Sequence, residues 1–181
     1  MKKFIYNEMM IHVPLCTSKD PQNILIISDD ATGLLEEVKK HNGISADTLE
    51  CKLEYLRDVA DKKYDVVVCE GEADDAFIAH INRVLKDDGL VVIKHPLLDE
   101  TESNKSLMKI LSNYFKIIMP YNLNDGSTLL LSSKEYHPTA DIILQRADML
   151  DNLNYYNCDI HIASFAMGNY IRKEYLGIIK N

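Results

Sequence analysis

The apolar run "VVVC" leads into Glu70, and Glu72, Asp74 and Asp75 follow within five residues, so carboxylates gather where a strand gives way to a loop. Such a rim suits a cationic amine, and a carboxylate at a strand's carboxyl end is placed to take a proton from one. The same residues can equally cap the next helix and complement its dipole. A second cluster, Ser28, Asp29 and Asp30, follows the run Ile24 to Ile27 and precedes Gly33. Backbone that lies against a nucleotide at a helix N-terminus usually carries several glycines, and here one remains. Carboxylates at that position occupy the potential a phosphate would use, which disfavours a phosphorylated dinucleotide but not a cationic nucleoside such as a sulfonium. Helix capping also accounts for Asp29 and Asp30. A third candidate strand end is Lys94 to Pro96.

These clusters sit on a regular alternation. After Ile24 to Ile27, the pattern predicts a helix from about Ala31 to Lys40, with Asp30 as its N-cap and Asn42 and Gly43 closing it. A short strand near Ile44 precedes a helical stripe of Leu53, Leu56, Val59 and Ala60. "YDVVVCE" reads as a strand covered on both faces, a helix follows from about Ala73 to Leu85, "KDDG" turns the chain, and "LVVIKH" is another buried strand. A helix near Asn104 to Tyr114 leads to "FKIIMP" and "STLLLSS", joined by "YNLNDG" as a hairpin. "TADIILQRADMLDNL" and "DIHIASFAMGNYIRKEYLGII" read as two further helices. The fold class is α/β: a Rossmann-like, mostly parallel sheet with helices on both faces and a C-terminal antiparallel hairpin, binding ligands at the carboxyl ends of its strands.

At 181 residues the chain suits one domain. A net charge of −8 argues against binding to nucleic-acid phosphates. Cys16, Cys51, Cys69 and Cys158 are scattered, as reduced thiols are, and the six histidines show no metal-ligand spacing, so no metal is expected. No apolar run approaches the roughly 20 residues that cross a bilayer, and no signal-peptide core forms near Met1, so the expected location is cytoplasmic, without a membrane partner.

Four stretches, in order, resemble the spermidine synthase family of aminopropyltransferases. "FIYNEMMIHVPLCTSKDPQNILII" is similar to the family's Y-[HQ]-E-M-x-x-H-x-P-L segment. "YDVVVCE" and "RVLKDDGLVV" resemble its YDVIIxD strand and the strand after its L-K-x-x-G turn. "MPYNLNDGSTLLLSSK" resembles its P-T-Y-x-S-G hairpin, and "YYNCDIHIASFAMGNYIRK" its Y-Y-N-x-x-x-H-x-A-A-F-x-L-P segment.

The resemblance implies one methyltransferase-like domain over residues 1–181, without the small N-terminal β domain of relatives. It implies aminopropyl transfer from decarboxylated S-adenosylmethionine, a co-substrate rather than a permanently bound cofactor, to putrescine, giving spermidine and methylthioadenosine. By the same resemblance, Glu70 takes the place of the catalytic aspartate and Tyr6 lies beside the aminopropyl and diamine site. Tyr121 lines the diamine channel, Lys94 stands where many members carry glutamine, and Asp47 matches an aspartate that contacts adenine. Ser28, Asp29, Asp30 and Gly33 stand in the family's G-G-G-D-G-G loop, and Glu72 joins the substrate side from the acidic rim.

The sequence departs from the family in four places. Asn7 replaces a histidine or glutamine, and only Gly33 survives of the glycine loop. The 30 residues between Gly33 and Tyr64 have room for one strand-helix unit where the family fits two. The family's ribose-clasping glutamate has no clear counterpart. These departures favour a second reading, a non-catalytic relative that binds a partner subunit or a polyamine. A third reading, methyl transfer from S-adenosylmethionine itself, is disfavoured by Tyr6 and Tyr121. A homodimer is the candidate assembly.

Overall fold

Aliphatic runs with β-branched residues form most of the sheet. Asn23–Ile27 (β1), Ser45–Leu49 (β2), Tyr64–Cys69 (β3) and Leu85–Lys94 (β4) lie parallel, in a computed structural model that describes residues 2–181. Ile117–Asn122 (β5) and Thr128–Ser133 (β6) form the expected antiparallel hairpin, and β6 joins the sheet beside β4. The strand order is β2-β1-β3-β4-β6-β5, with a single strand, β2, between Gly33 and Tyr64.

Alternate strand residues feed two cores, as a sheet covered on both faces requires. Ile24, Ile26, Val66, Val68, Leu90 and Val92 pack against Lys3–Thr17 (α1), Thr32–Val38 (α2), Leu144–Asp148 (α6) and Cys158–Ser164 (α7). Leu25, Ile27, Val67, Cys69, Val91 and Ile93 pack against Leu53–Arg57 (α3), Asp75–Val84 (α4), Thr101–Leu111 (α5) and Asn169–Glu174 (α8).

The sequence pattern gave no element for α1, because a helix buried almost all round has no polar stripe to set its period. From Asn7 to Thr17 every residue of α1 is buried. Its polar members are matched individually. The fully buried Glu8 carboxylate accepts the backbone N–H groups of Asn154, Tyr155 and Tyr156, each at 2.8 Å. His12 donates through Nε2 to the Glu37 carboxylate of α2 at 2.9 Å, and its Nδ1 meets His41 Nε2 at 2.9 Å. The Tyr156 hydroxyl donates to His161 Nδ1 at 2.7 Å; the other ring nitrogen of His161 must carry the proton, since it faces the Pro138 carbonyl at 3.0 Å. The tyrosine, glutamate and histidine motifs at the two ends of the chain therefore meet in one buried network.

Several element boundaries differ from the sequence reading. Asp30 is not the N-cap of α2; Ala31 is, and Asp30 accepts the Thr32 N–H at 3.2 Å from one residue earlier. "KDDG" is not a turn before β4 but a bulge inside it, since two steps along β3, from Tyr64 to Val66, match five along β4, from Leu85 to Leu90. A Cβ on Gly89 would lie 2.9 Å from a Leu85 methyl and 3.1 Å from the Lys86 carbonyl, so the bulge closes only with glycine there. Lys134 stabilises it by donating to the carbonyls of Asn82, Leu85 and Lys86. The last predicted helix breaks into α7 and α8 because Asn122 Nδ2, from the hairpin, donates to the Ser164 and Ala166 carbonyls and ends α7. Of "TADIILQRADMLDNL", only α6 is helical.

Two measurements check this account. Glu8→Ala should lower unfolding free energy by roughly 3 kcal/mol or more, with an unchanged urea m-value, because three buried donors lose their acceptor; a loss under about 1 kcal/mol would contradict it. Burial holds the imidazoles of His41 and His161 well below their ordinary value, at about 3 and about 4. Their stabilising contribution is full above the unfolded value of about 6.5 and falls as pH drops, because the unfolded chain then binds protons the native one refuses. Stability should therefore decline from pH 7.5 to 5.5, by about 1 kcal/mol for each histidine, and His161→Asn should flatten the slope; a flat wild-type profile would refute this.

Candidate active site

The register of the parallel strands assembles the site. Ile27, Cys69 and Ile93 lie side by side on β1, β3 and β4, so the residues that follow them, Ser28, Glu70 and Lys94, form the next row and turn to the opposite face, under α1. Lys94 pairs with Leu129, and Leu129 with Tyr121, which extends the row to β5. Tyr6 reaches down onto it from α1. The row lies at the carboxyl ends of the parallel strands, where α/β sheets bind ligands.

Within the row, the Ser28 hydroxyl donates to Glu70 Oε2, and Lys94 Nζ lies 3.3 Å from Glu70 Oε1. The same ammonium sits 5.2 Å from the centroid of the Tyr6 ring. The Tyr6 hydroxyl is buried beside Glu70. Its burial, and then the charge of Glu70, push the phenol well above its ordinary range. Tyr121 is fully buried, donates to the Met9 carbonyl at 3.1 Å, and is likewise pushed up by burial. Both tyrosines are thus neutral, aromatic walls rather than bases. An aromatic face beside a carboxylate is an ammonium site, and here the chain's own lysine is in it. With the Lys94 side chain 49% exposed, the ion pair is worth roughly 1 kcal/mol or less, so the lysine can be displaced.

Sequence reasoning missed what fixes the backbone beside Lys94. Fully buried Asn104 donates to the carbonyls of Pro96, Leu97 and Glu100 and accepts from His95 Nδ1–H at 2.6 Å, while the Thr128 hydroxyl donates to His95 Nε2 at 2.8 Å. Burial lowers the His95 imidazole and keeps it neutral, as this pattern requires. Asn104 carries no periodic or motif signal, so only the folded chain reveals its role.

The loop "SDDATG" after β1 is tied both internally and to its neighbours. Asp29 accepts the Cys51 N–H at 3.0 Å, the Asp30 N–H donates to Ser28 Oγ at 3.1 Å, and Lys3 approaches Asp30 at 3.5 Å. A Cβ on Gly33 would fall 2.3 Å from Asn7 Nδ2, so the residue that replaces the family's histidine or glutamine lies directly on the surviving glycine. Asp47 departs from its expected place. It lies in the middle of β2, tied to Lys63 at 2.7 Å and the Tyr64 hydroxyl at 2.8 Å, towards the amino ends of the strands. The acid at the carboxyl end of β2 is Glu50, adjoining Ser28 through the Ser28 N–H to Leu49 carbonyl bond of 2.9 Å and paired with Lys52 at 2.6 Å. Dinucleotide-binding folds place their ribose-binding acid there. Glu72 is exposed on the loop after β3, outside the contacts that join Ser28, Glu70, Lys94 and Tyr6, while Asp74 caps α4 by accepting the Phe77 N–H at 2.8 Å.

A profile of the family described as "Spermine/spermidine synthase domain" matches residues 3–50, from α1 to Glu50. The polyamine aminopropyltransferase of Helicobacter acinonychis (strain Sheeba) is 28% identical over 92% of this chain and 75% of its own length. Over most of its length the chain is similar to polyamine aminopropyltransferases. Solved structures agree in fold: Thermotoga maritima spermidine synthase superposes with a TM-score of 0.83 at 24% identity, covering 95% of this chain and 74% of its own. A spermidine synthase in complex with the transition-state analogue AdoDATO gives 0.83 at 23% identity, covering 95% and 75%. Among the described residues, no helix is long and apolar enough to cross a membrane, and no group of three or more His, Cys, Asp or Glu could hold a metal ion.

The close packing of Asn7 on Gly33 is open to a double-mutant cycle. Gly33→Ala should cost about 1–3 kcal/mol, and Asn7→Ala in the same chain should recover most of it, a coupling above roughly 0.5 kcal/mol in chemical unfolding. Strict additivity would mean that the two residues do not touch.

Proposed function

We propose that the chain is an aminopropyltransferase that moves the aminopropyl group of decarboxylated S-adenosylmethionine onto an amine, with putrescine as the acceptor and spermidine and methylthioadenosine as products. The observation that carries this reading is the meeting of Glu70, Tyr6 and Tyr121 in one row at the carboxyl ends of the sheet, on the face closed by α1. Glu50 and the Ser28–Gly33 loop would hold the nucleoside. Tyr6 and Glu70 would hold the acceptor amine. Its nitrogen lone pair attacks the propyl carbon bonded to the sulfonium, the C–S bond breaks with its electrons going to sulfur, and the proton released from nitrogen passes to the Glu70 carboxylate. Because the positive sulfur is already a good leaving group, positioning and proton acceptance supply most of the acceleration. Residues 1–181 are read as one methyltransferase-like domain, working in the cytoplasm and paired as a homodimer.

A second reading is a non-catalytic relative. Asn7 over Gly33 and Lys94 on Glu70 favour it, since both put side chains where ligands would lie.

Titration with methylthioadenosine, followed by an assay with putrescine and the decarboxylated donor, separates the two. Micromolar binding with turnover is expected, and Glu70→Gln should lower kcat at least about 100-fold while leaving methylthioadenosine affinity within twofold. Binding without turnover would select the non-catalytic reading, and the absence of binding would remove the nucleoside from either.

A further inference from the structure

We propose that Lys94 is a specificity-determining residue that occupies the acceptor-amine site as a resident competitor, so that the site takes up free diamines only when the lysine side chain swings away. The proposal rests on the reading of this row as an amine-transfer site. An alkylammonium is recognised by an anion and an aromatic face, and Lys94 Nζ has both, 3.3 Å from Glu70 Oε1 and 5.2 Å from the centre of the Tyr6 ring. The lysine side chain ends, like a protonated diamine, in a flexible chain of methylenes and a primary ammonium.

The fold holds the base of this side chain and frees its end. The backbone of Lys94 is paired with Leu129 in β6, and the next residue, His95, is fixed between Asn104 and Thr128. The side chain itself is half-exposed, and its carboxylate partner Glu70 keeps a second bond, from Ser28, when the lysine leaves. A group tethered so close to its site has an effective concentration in the millimolar range or above. A free amine must compete against that, and the displaced charge stays near enough to repel the second ammonium of a diamine. With Lys94 in place, Glu70 is neutralised, and the site lacks the net negative charge that would draw a dication.

Isothermal titration with putrescine, on the whole chain and on Lys94→Met and Lys94→Arg, tests this. Lys94→Met should bind putrescine at least tenfold more tightly than wild type, whereas Lys94→Arg, which keeps the cation, should stay within threefold of wild type. Equal or weaker binding by Lys94→Met, including no binding by any of the three, overturns the proposal. So does equal tightening in Lys94→Arg, which would point to side-chain removal rather than charge. Methylthioadenosine titrated into the same proteins should bind all three alike. Its failure to bind any of them would overturn the transferase reading instead, leaving the putrescine comparison to decide the role of Lys94.

Discussion

A carboxylate with no exposure survives in a protein interior only if its charge is met, and Glu8 is met by three consecutive backbone N–H groups at Asn154, Tyr155 and Tyr156. This contact joins the first helix to a segment almost 150 residues away. It sets the height of α1 over the sheet, and with it the positions of Tyr6 and Asn7, two residues and one residue earlier on the same helix. Tyr156 carries the constraint onward through His161 to Pro138. The family-like motifs at the two chain ends are in this sense structural. They act on the site through α1, from which Tyr6 and Asn7 reach it.

The second constraint is the phase of the strands. Side chains alternate between faces, so the residue after the last in-register position of each strand must point where its neighbours' residues point. Ile27, Cys69 and Ile93 face α3, α4, α5 and α8; Ser28, Glu70 and Lys94 therefore face α1. The bulge at Lys86 to Gly89 absorbs the extra residues of β4 before this point is reached. Without it, Lys94 would sit out of register with Glu70.

The chemistry of the row reflects what replaced the glycines. A glycine-rich loop leaves its amides free for a ligand, whereas here Ser28 is bound to Glu70 and to the Asp30 N–H, Asp29 to the Cys51 N–H, and Asn7 packs on Gly33. The loop is thereby ordered by its own side chains. The row combines an acid, aromatic walls and a strand-end position, while its charge is balanced internally by Lys94.

Much of this was legible in the chain itself. Apolar runs such as "ILII", "VVVC" and "LVVI" with intervening amphipathic stretches specify a parallel α/β sheet with a terminal hairpin, because burial on both faces demands uninterrupted hydrophobic strands. Glu70, Ser28 and Lys94 were identifiable as strand-end residues for the same reason. Tertiary structure decided the rest. It made a helix of the segment around Glu8, whose uniform burial erases the periodicity that local patterns need. It placed Glu50, not Asp47, at the carboxyl end of β2 beside Ser28, since only the pairing of β2 with β1 says which residue stands at the strand's end. It also put the Lys94 ammonium against Glu70 and Tyr6, a contact between three elements distant in sequence that no local pattern encodes, because it depends on the phase of two strands and the height of one helix.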